Sequence, residues 1–270
     1  MQKNNGLDKN QLISFVIFSA ILMAFMFYFQ NKQSDEKQVA DAKAKTEQKV
    51  ASKTIANNIN ATVNAAAIKN VTVKNKELTL EFASLGGQLS SVEINQYKAY
   101  NAKTDKHDLP LYLIEKNNSS YGFQFKDKTG KVFNTKDLVF VPSVKDNTVT
   151  MTAQVSGATI QYVYQLLDNY TLDFNVKTQG LSSIVTDEKA DFHWNYTVRG
   201  MEKGRSQEQT HSEFNYAFDN YGSTDYDTNG FEEPEETLNW LAVKQQFFTS
   251  IIESTNGFTQ TKGTQETIEK

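Results

Sequence analysis

The chain has 270 residues, 28 basic against 32 acidic, no cysteine, and a formal net charge of −4. Thiolate metal sites, disulfides and cysteine nucleophiles are therefore excluded. With only two arginines, Arg199 and Arg205, no nucleic-acid footprint is expected.

The first predicted element is the uncharged run LISFVIFSAILMAFMFYF, Leu12 to Phe29. As a helix it would span about 27 Å, close to a bilayer's hydrocarbon core of about 30 Å. Leu12, Ile13, Phe15, Val16, Ile17, Phe18, Ile21, Leu22, Met23, Phe25, Met26, Phe27, Tyr28 and Phe29 form its apolar surface. The aromatic residues gather at its C-terminal end, where a membrane interface favours amphipathic rings. The run ends in Tyr-Phe-Gln-Asn-Lys, which offers no small-residue cleavage site, and no cysteine follows for lipoprotein processing. An uncleaved membrane anchor over residues 1–30 is the expectation. Lys3 and Lys9 precede the run, while Lys32, Lys37, Lys43, Lys45 and Lys49 follow it. A bare lysine count favours the C-terminal side inside the cell, but long domains escape that count.

Residues 31–69 are rich in Lys, Ala, Gln, Asn, Asp and Glu and lack aromatic side chains. Such a segment buries too little apolar surface to offset its ordering entropy. It reads as a polar spacer, with an r.m.s. reach of about 35 Å if flexible.

From Val71 the pattern turns to period two. In VTVKNKELTLEF, Leu78, Leu80 and Phe82 face one way and Glu77, Thr79 and Glu81 the other. About a dozen such segments follow, including QLSSVEIN, LPLYLIE, SYGFQFKD, TVTMTAQV, ATIQYVYQLLD, YTLDFNVKTQ, DFHWNYTVRG and SEFNYAFDNYG. Asp146-Asn147, Ser156-Gly157 and Asp168-Asn169 read as hairpin turns. Turn signals at about ten-residue spacing, without a βαβ rhythm, predict a large antiparallel sandwich. Pro110 and Pro142 are placed at strand margins. Gly86-Gly87 reads as a sharp reversal and not a phosphate loop, since no helix N-terminus follows.

No catalytic set stands out, and no enzymatic activity, cofactor or metal is expected. His107, His193 and His211 lack metal-ligand spacing. Glu232-Glu233-Pro234-Glu235-Glu236 reads as a solvated loop. A sugar-binding face could draw on Asp191, His193, Trp194 and Tyr196. Alternation, however, sets Asp191, His193 and Asn195 opposite Phe192, Trp194 and Tyr196, so the aromatics are expected in the core.

Three features in this order resemble a known family: the anchor and spacer, the early LGGQLSSVEINQYKAY, and the late NWLAVKQQFFTSII. The residues that carry the resemblance are Leu85-Gly86-Gly87, then Trp240 and Lys244-Gln245-Gln246-Phe247-Phe248. The chain is similar to the N-terminal half of a YidC-type membrane protein insertase of the long bacterial form. The resemblance implies an all-β fold, a large antiparallel β-supersandwich of mutarotase-like type over residues 70–270. It implies a component that assists insertion and folding of integral membrane proteins, without the family's later five-helix core. Nascent membrane proteins and the Sec translocon would be partners. The implied location is the bacterial inner membrane, with the N-terminus cytoplasmic and the β domain periplasmic. NWLAVKQQFFTSIIES would be a strand region whose aromatics pack against the sheet, and the sandwich would stop short of its last strands. The alternative is an anchored periplasmic module that binds carbohydrate or protein.

Overall fold

A computed structural model describes residues 69–186, 189–218, 223–227 and 230–266. The expected anchor at 1–30 and nearly all of the spacer lie outside the described residues. Among the described residues, no helix is long and apolar enough to cross a membrane.

Four antiparallel sheets are formed. β1 (Val71–Lys74), β2 (Leu78–Ala83), β3 (Gln88–Asn101) and β4 (Lys106–Ile114) lie side by side in chain order. On β2, Leu78, Leu80 and Phe82 are buried while Thr79, Glu81 and Ala83 are half-buried, the period of two expected of a strand with one face inward. β5 (Ser119–Lys126) is flanked by β6 (Val132–Asn134) and β11 (Asp191–Tyr196). β7 (Val141–Lys145), β8 (Thr148–Val155), β9 (Ala158–Leu166) and β10 (Leu172–Gln179) form a meander. β12 (Glu213–Phe218), β13 (Ser223–Asp227), β14 (Gly230–Lys244) and β15 (Thr249–Thr264) form the fourth sheet, in the order β13-β12-β14-β15. A five-residue helix, α1 (Arg205–Gln209), precedes it.

The turns follow from local chemistry. Ser156 and Gly157 both take positive φ, 49° and 83°, and join β8 to β9 directly after the Val155–Ala158 pair. That is the twist a two-residue hairpin needs. Asp146-Asn147 and Asp168-Asn169 also lie in hairpin connections, with Asp146 at φ 51° and Asn169 at φ 73°. Gly86 and Gly87, at φ 75° and 61°, reverse the chain between β2 and β3. At Gly87 an added Cβ would stand 2.7 Å from the Phe140 ring, so the turn needs glycine for space as well as for φ.

The main core lies among the first three sheets. Phe82, Phe140, Val149, Met151 and Tyr162 are fully buried there. Phe82 meets Tyr164 at 4.7 Å between ring centroids, and Phe140 stacks on Tyr162 at 4.8 Å. A second, smaller cluster of Tyr216, Phe231 and Leu238 belongs to the fourth sheet.

Two expectations are corrected. The acidic run at 232–236 is not a loop: it lies within β14, paired in part with β15. Glu232, Glu235 and Glu236 are exposed, so solvation drove the charge pattern while pairing set the backbone. Pro110 is inside β4 rather than at its margin, opposite Lys98. It is tolerated because β4 is an edge strand, where a missing N–H breaks no ladder on the open side. Pro142, second in β7, is likewise on an edge.

Candidate functional site: an apolar cleft

Among the described residues, one concavity is a cleft of about 820 Å³. Its deep lining is core: Leu78 and Leu80 from β2, Ile94 from β3, and Leu111 from β4. Leu172 and Phe174 of β10 and the aromatic face of β11, Phe192, Trp194 and Tyr196, form further walls. The last wall is the turn and first residues of β15, Phe247 to Ile252.

Two buried tyrosines line the cleft, Tyr121 from β5 and Tyr164 from β9. Their hydroxyls are used up internally. The Leu89 amide donates to the Tyr121 hydroxyl at 3.0 Å. The two hydroxyls lie 2.9 Å apart, and Tyr164 donates to the Gly87 carbonyl at 2.9 Å. Tyr121 therefore donates to Tyr164, and the chain of bonds runs from Leu89 at the start of β3 back to Gly87 of the turn. Burial lifts the Tyr121 and Tyr164 phenols well above the ordinary tyrosine value, so both stay neutral. With these hydroxyls satisfied, this part of the lining asks no hydrogen bond of a guest.

The charged lining is small. Glu202 lies 2.8 Å from the His107 ring nitrogen, and Lys98 is exposed at the rim. Among the described residues no cluster of His, Cys, Asp and Glu could hold a metal ion. The lining is mostly apolar among the described residues, which suits the cleft to sheltering apolar groups.

The structure divides the late family-marking segment. Trp240 is half-buried on β14, opposite Glu253 of β15. Lys244 closes β14 and donates to Glu213 of β12 at 2.6 Å, which holds the Glu213 carboxyl below the usual range. Gln245 is buried in the turn; its amide side chain donates to the Arg199 carbonyl at 3.1 Å, and its backbone N–H to Phe248 at 2.8 Å. Arg199 in turn pairs with Glu115. Gln246 is half-buried. Phe248 packs on the main core and meets Tyr97 edge-on at 5.5 Å. Phe247 does not pack against the sheet as expected: it is exposed at the cleft mouth, because the turn gives consecutive side chains opposite directions. Gly86 and Gly87 do not line the cleft; Gly87 alone is tied to it, through the Tyr164 hydrogen bond to its carbonyl.

On β11, Asp191, His193 and Asn195 are exposed on one face, and Phe192, Trp194 and Tyr196 are half-buried on the other. His193 and Trp194 thus share no sugar site. The aromatics pack on the core as expected and also face the cleft. The sequence reading missed Tyr97, Tyr121, Tyr164 and Tyr170 as cleft residues. The one local signal was tyrosine in strands with polar neighbours, which marks half-buried faces but not which cavity they share.

A sequence model of the YidC periplasmic domain matches residues 70–268. Curated relatives named membrane protein insertase YidC also match. That of Phocaeicola vulgatus is 29% identical over 276 residues, covering 91% of this chain and 42% of the relative. That of Amoebophilus asiaticus is 26% identical, covering 91% of this chain and 44% of the relative. That of Parabacteroides distasonis is 26% identical, covering 94% and 45%. The chain therefore spans less than half the length of these relatives. No solved structure matches it.

Proposed function

Since the chain belongs to the YidC family through its periplasmic domain, we propose that it serves membrane protein insertion by sheltering apolar segments of nascent membrane proteins in the cleft. The apolar lining with hydrogen-bonded tyrosines carries this reading. Burying a large aliphatic or aromatic side chain is worth about 1.5–3 kcal/mol, and the gain is non-directional. A cleft with this lining can therefore accept many apolar sequences, which suits a protein with varied clients.

In the same proposal, residues 1–30 form a membrane anchor, 31–69 a spacer, and 70–270 the β domain. The N-terminus is cytoplasmic and the β domain periplasmic, at the bacterial inner membrane. The relatives' name and the matched domain's description support this placement. The Sec translocon is proposed as a partner on the same family grounds. No bond-making step is assigned.

The test is photo-crosslinking from the cleft wall. A photoreactive residue at Trp194 should capture ribosome-bound nascent chains that carry an apolar segment, and fail with a charged version of the same segment. The same group at His193, on the opposite face of β11, is the control. Equal capture from both positions would sink the cleft reading.

A further inference from the structure

The cleft mouth carries more exposed apolar surface than a water-facing rim needs. Tyr97 is 50% exposed, Tyr170 52%, Phe247 63% and Ile251 61%, and all four line this one mouth. They come from β3, the β9–β10 connection, the β14–β15 turn and β15, so folding alone brings them together. Single exposed apolar residues need no explanation, but convergence on one opening does. Phe247 and Ile251 give nothing to the main core cluster, in contrast with their neighbour Phe248.

Charge completes the pattern. Lys98 stands exposed on the same rim and forms no ion pair among the described residues. Glu202, the only carboxylate of the lining among the described residues, is turned onto His107. Aromatic and aliphatic side chains beside an unpaired lysine are the composition that seats at an anionic lipid–water interface.

We propose that the cleft mouth docks on the surface of an anionic lipid bilayer, with Phe247 and Ile251 inserted at the headgroup level, flanked by the Tyr97 and Tyr170 rings, and Lys98 over lipid phosphate. The proposal rests on the reading of Leu12–Phe29 as an anchor, which supplies the membrane. The cleft then opens toward lipid, and an apolar segment can exchange between bilayer and cleft without crossing bulk water. A single aromatic and one isoleucine make such docking weak and reversible, so it acts on a domain already tethered.

The chain has no cysteine, so one introduced thiol reports one site. The full chain is reconstituted into vesicles of phosphatidylethanolamine and phosphatidylglycerol, with a nitroxide label at Phe247→Cys, Ile251→Cys or, as control, Val144→Cys. Val144 is an exposed residue of β7 that does not line the cleft. Collisions with membrane-soluble oxygen and with a water-soluble nickel chelate are compared by electron paramagnetic resonance. At 247 and 251 the oxygen-to-nickel ratio should rise several-fold over that at 144. It should fall back in Lys98→Glu, or when phosphatidylglycerol is replaced by phosphatidylcholine. Free access of nickel to 247 and 251 in vesicles that the chain does bind overturns the docking and keeps the anchor. Nickel excluded only after an apolar peptide is added makes the face a protein surface and also overturns it. A chain that does not float with the vesicles overturns docking and anchor together. Crosslinking from position 194 tests the client reading separately.

Discussion

The sandwich and the β12–β15 sheet are built from the same alternating strands yet are held very differently. Among the described residues, nineteen buried side chains join in the sandwich core, and three in the cluster of the fourth sheet. The sandwich strands β8 and β9 bury every second residue almost without interruption. β15, one residue longer than β14, alternates only between exposed and half-buried positions. Local stability follows buried apolar contact, so the fourth sheet belongs to the part of the molecule that opens first. Among the contacts that fasten it to the sandwich are Gln245 on the Arg199 carbonyl, Phe248 against Tyr97, and Phe258 near Phe192 at 6.4 Å. The cleft therefore has one wall backed by a dense core and one that is not, and on the proposed reading the second wall is the one that yields to guests of different shape.

The strongest test of this contrast is Phe82→Ala. Phe82 is fully buried, and the truncation should cost about 3–5 kcal/mol, against a typical total of about 5–15. Thermal unfolding followed by circular dichroism should show the sandwich melting at a far lower temperature. An unchanged midpoint would remove the densely backed wall from the account.

Leu238→Ala, also at a fully buried position, should cost roughly 2–5 kcal/mol locally. Its effect should differ in extent. Hydrogen exchange should quicken across residues 213–264 while β8 and β9 keep their protection. Equal loss in β8 and β9 would show that the two regions form one cooperative unit.

The tyrosines sharpen the densely backed side. Tyr164→Phe leaves the Gly87 carbonyl without its donor and the Tyr121 hydroxyl without its acceptor, which should cost about 1–3 kcal/mol. The ordinary tyrosine pKa is 10.0, and burial pushes Tyr162 up to about 12 and Tyr121 and Tyr164 upward as well. The folded state thus holds protons that the unfolded chain releases above pH 10. The stabilisation is whole below pH 10 and is lost as pH climbs through about 12. Denaturant midpoints taken across that window should fall, and a flat profile would mean these phenols titrate as if exposed.

The smallest expected effect is at the mouth. Phe247→Ser removes a largely exposed ring and should shift stability by no more than about 0.5 kcal/mol. A melting shift like that of Phe82→Ala would mean that Phe247 is packed after all.

Much of the fold was legible because strand alternation is a local signal. Leu78, Leu80 and Phe82 could be placed inward from their spacing alone, and Ser156-Gly157 could be placed at a turn from its backbone freedom. The acidic run at 232–236 misled because high charge marks solvation equally well in a loop and on the open face of a strand. Pro110 misled because edge position depends on which strands pair, and that is not local. The cleft was the least legible part. Its tyrosines, Trp194 and Phe248 lie on different strands and sheets, and each alone reads as core.

The sequence by itself determined the strands, most of their inward faces, the glycine reversal at 86–87 and the order of an apolar run, a polar stretch and a β region. These rest on spacing of two residues, on backbone freedom and on composition, all short-range properties. Only the tertiary structure decided that the aromatic face of β11 borders an open cleft, that Tyr121 and Tyr164 are silenced by their own hydrogen bonds, and that Phe247 faces outward while Phe248 faces in. Those outcomes depend on which sheets meet and at what register, and no window of sequence contains both partners of such a contact.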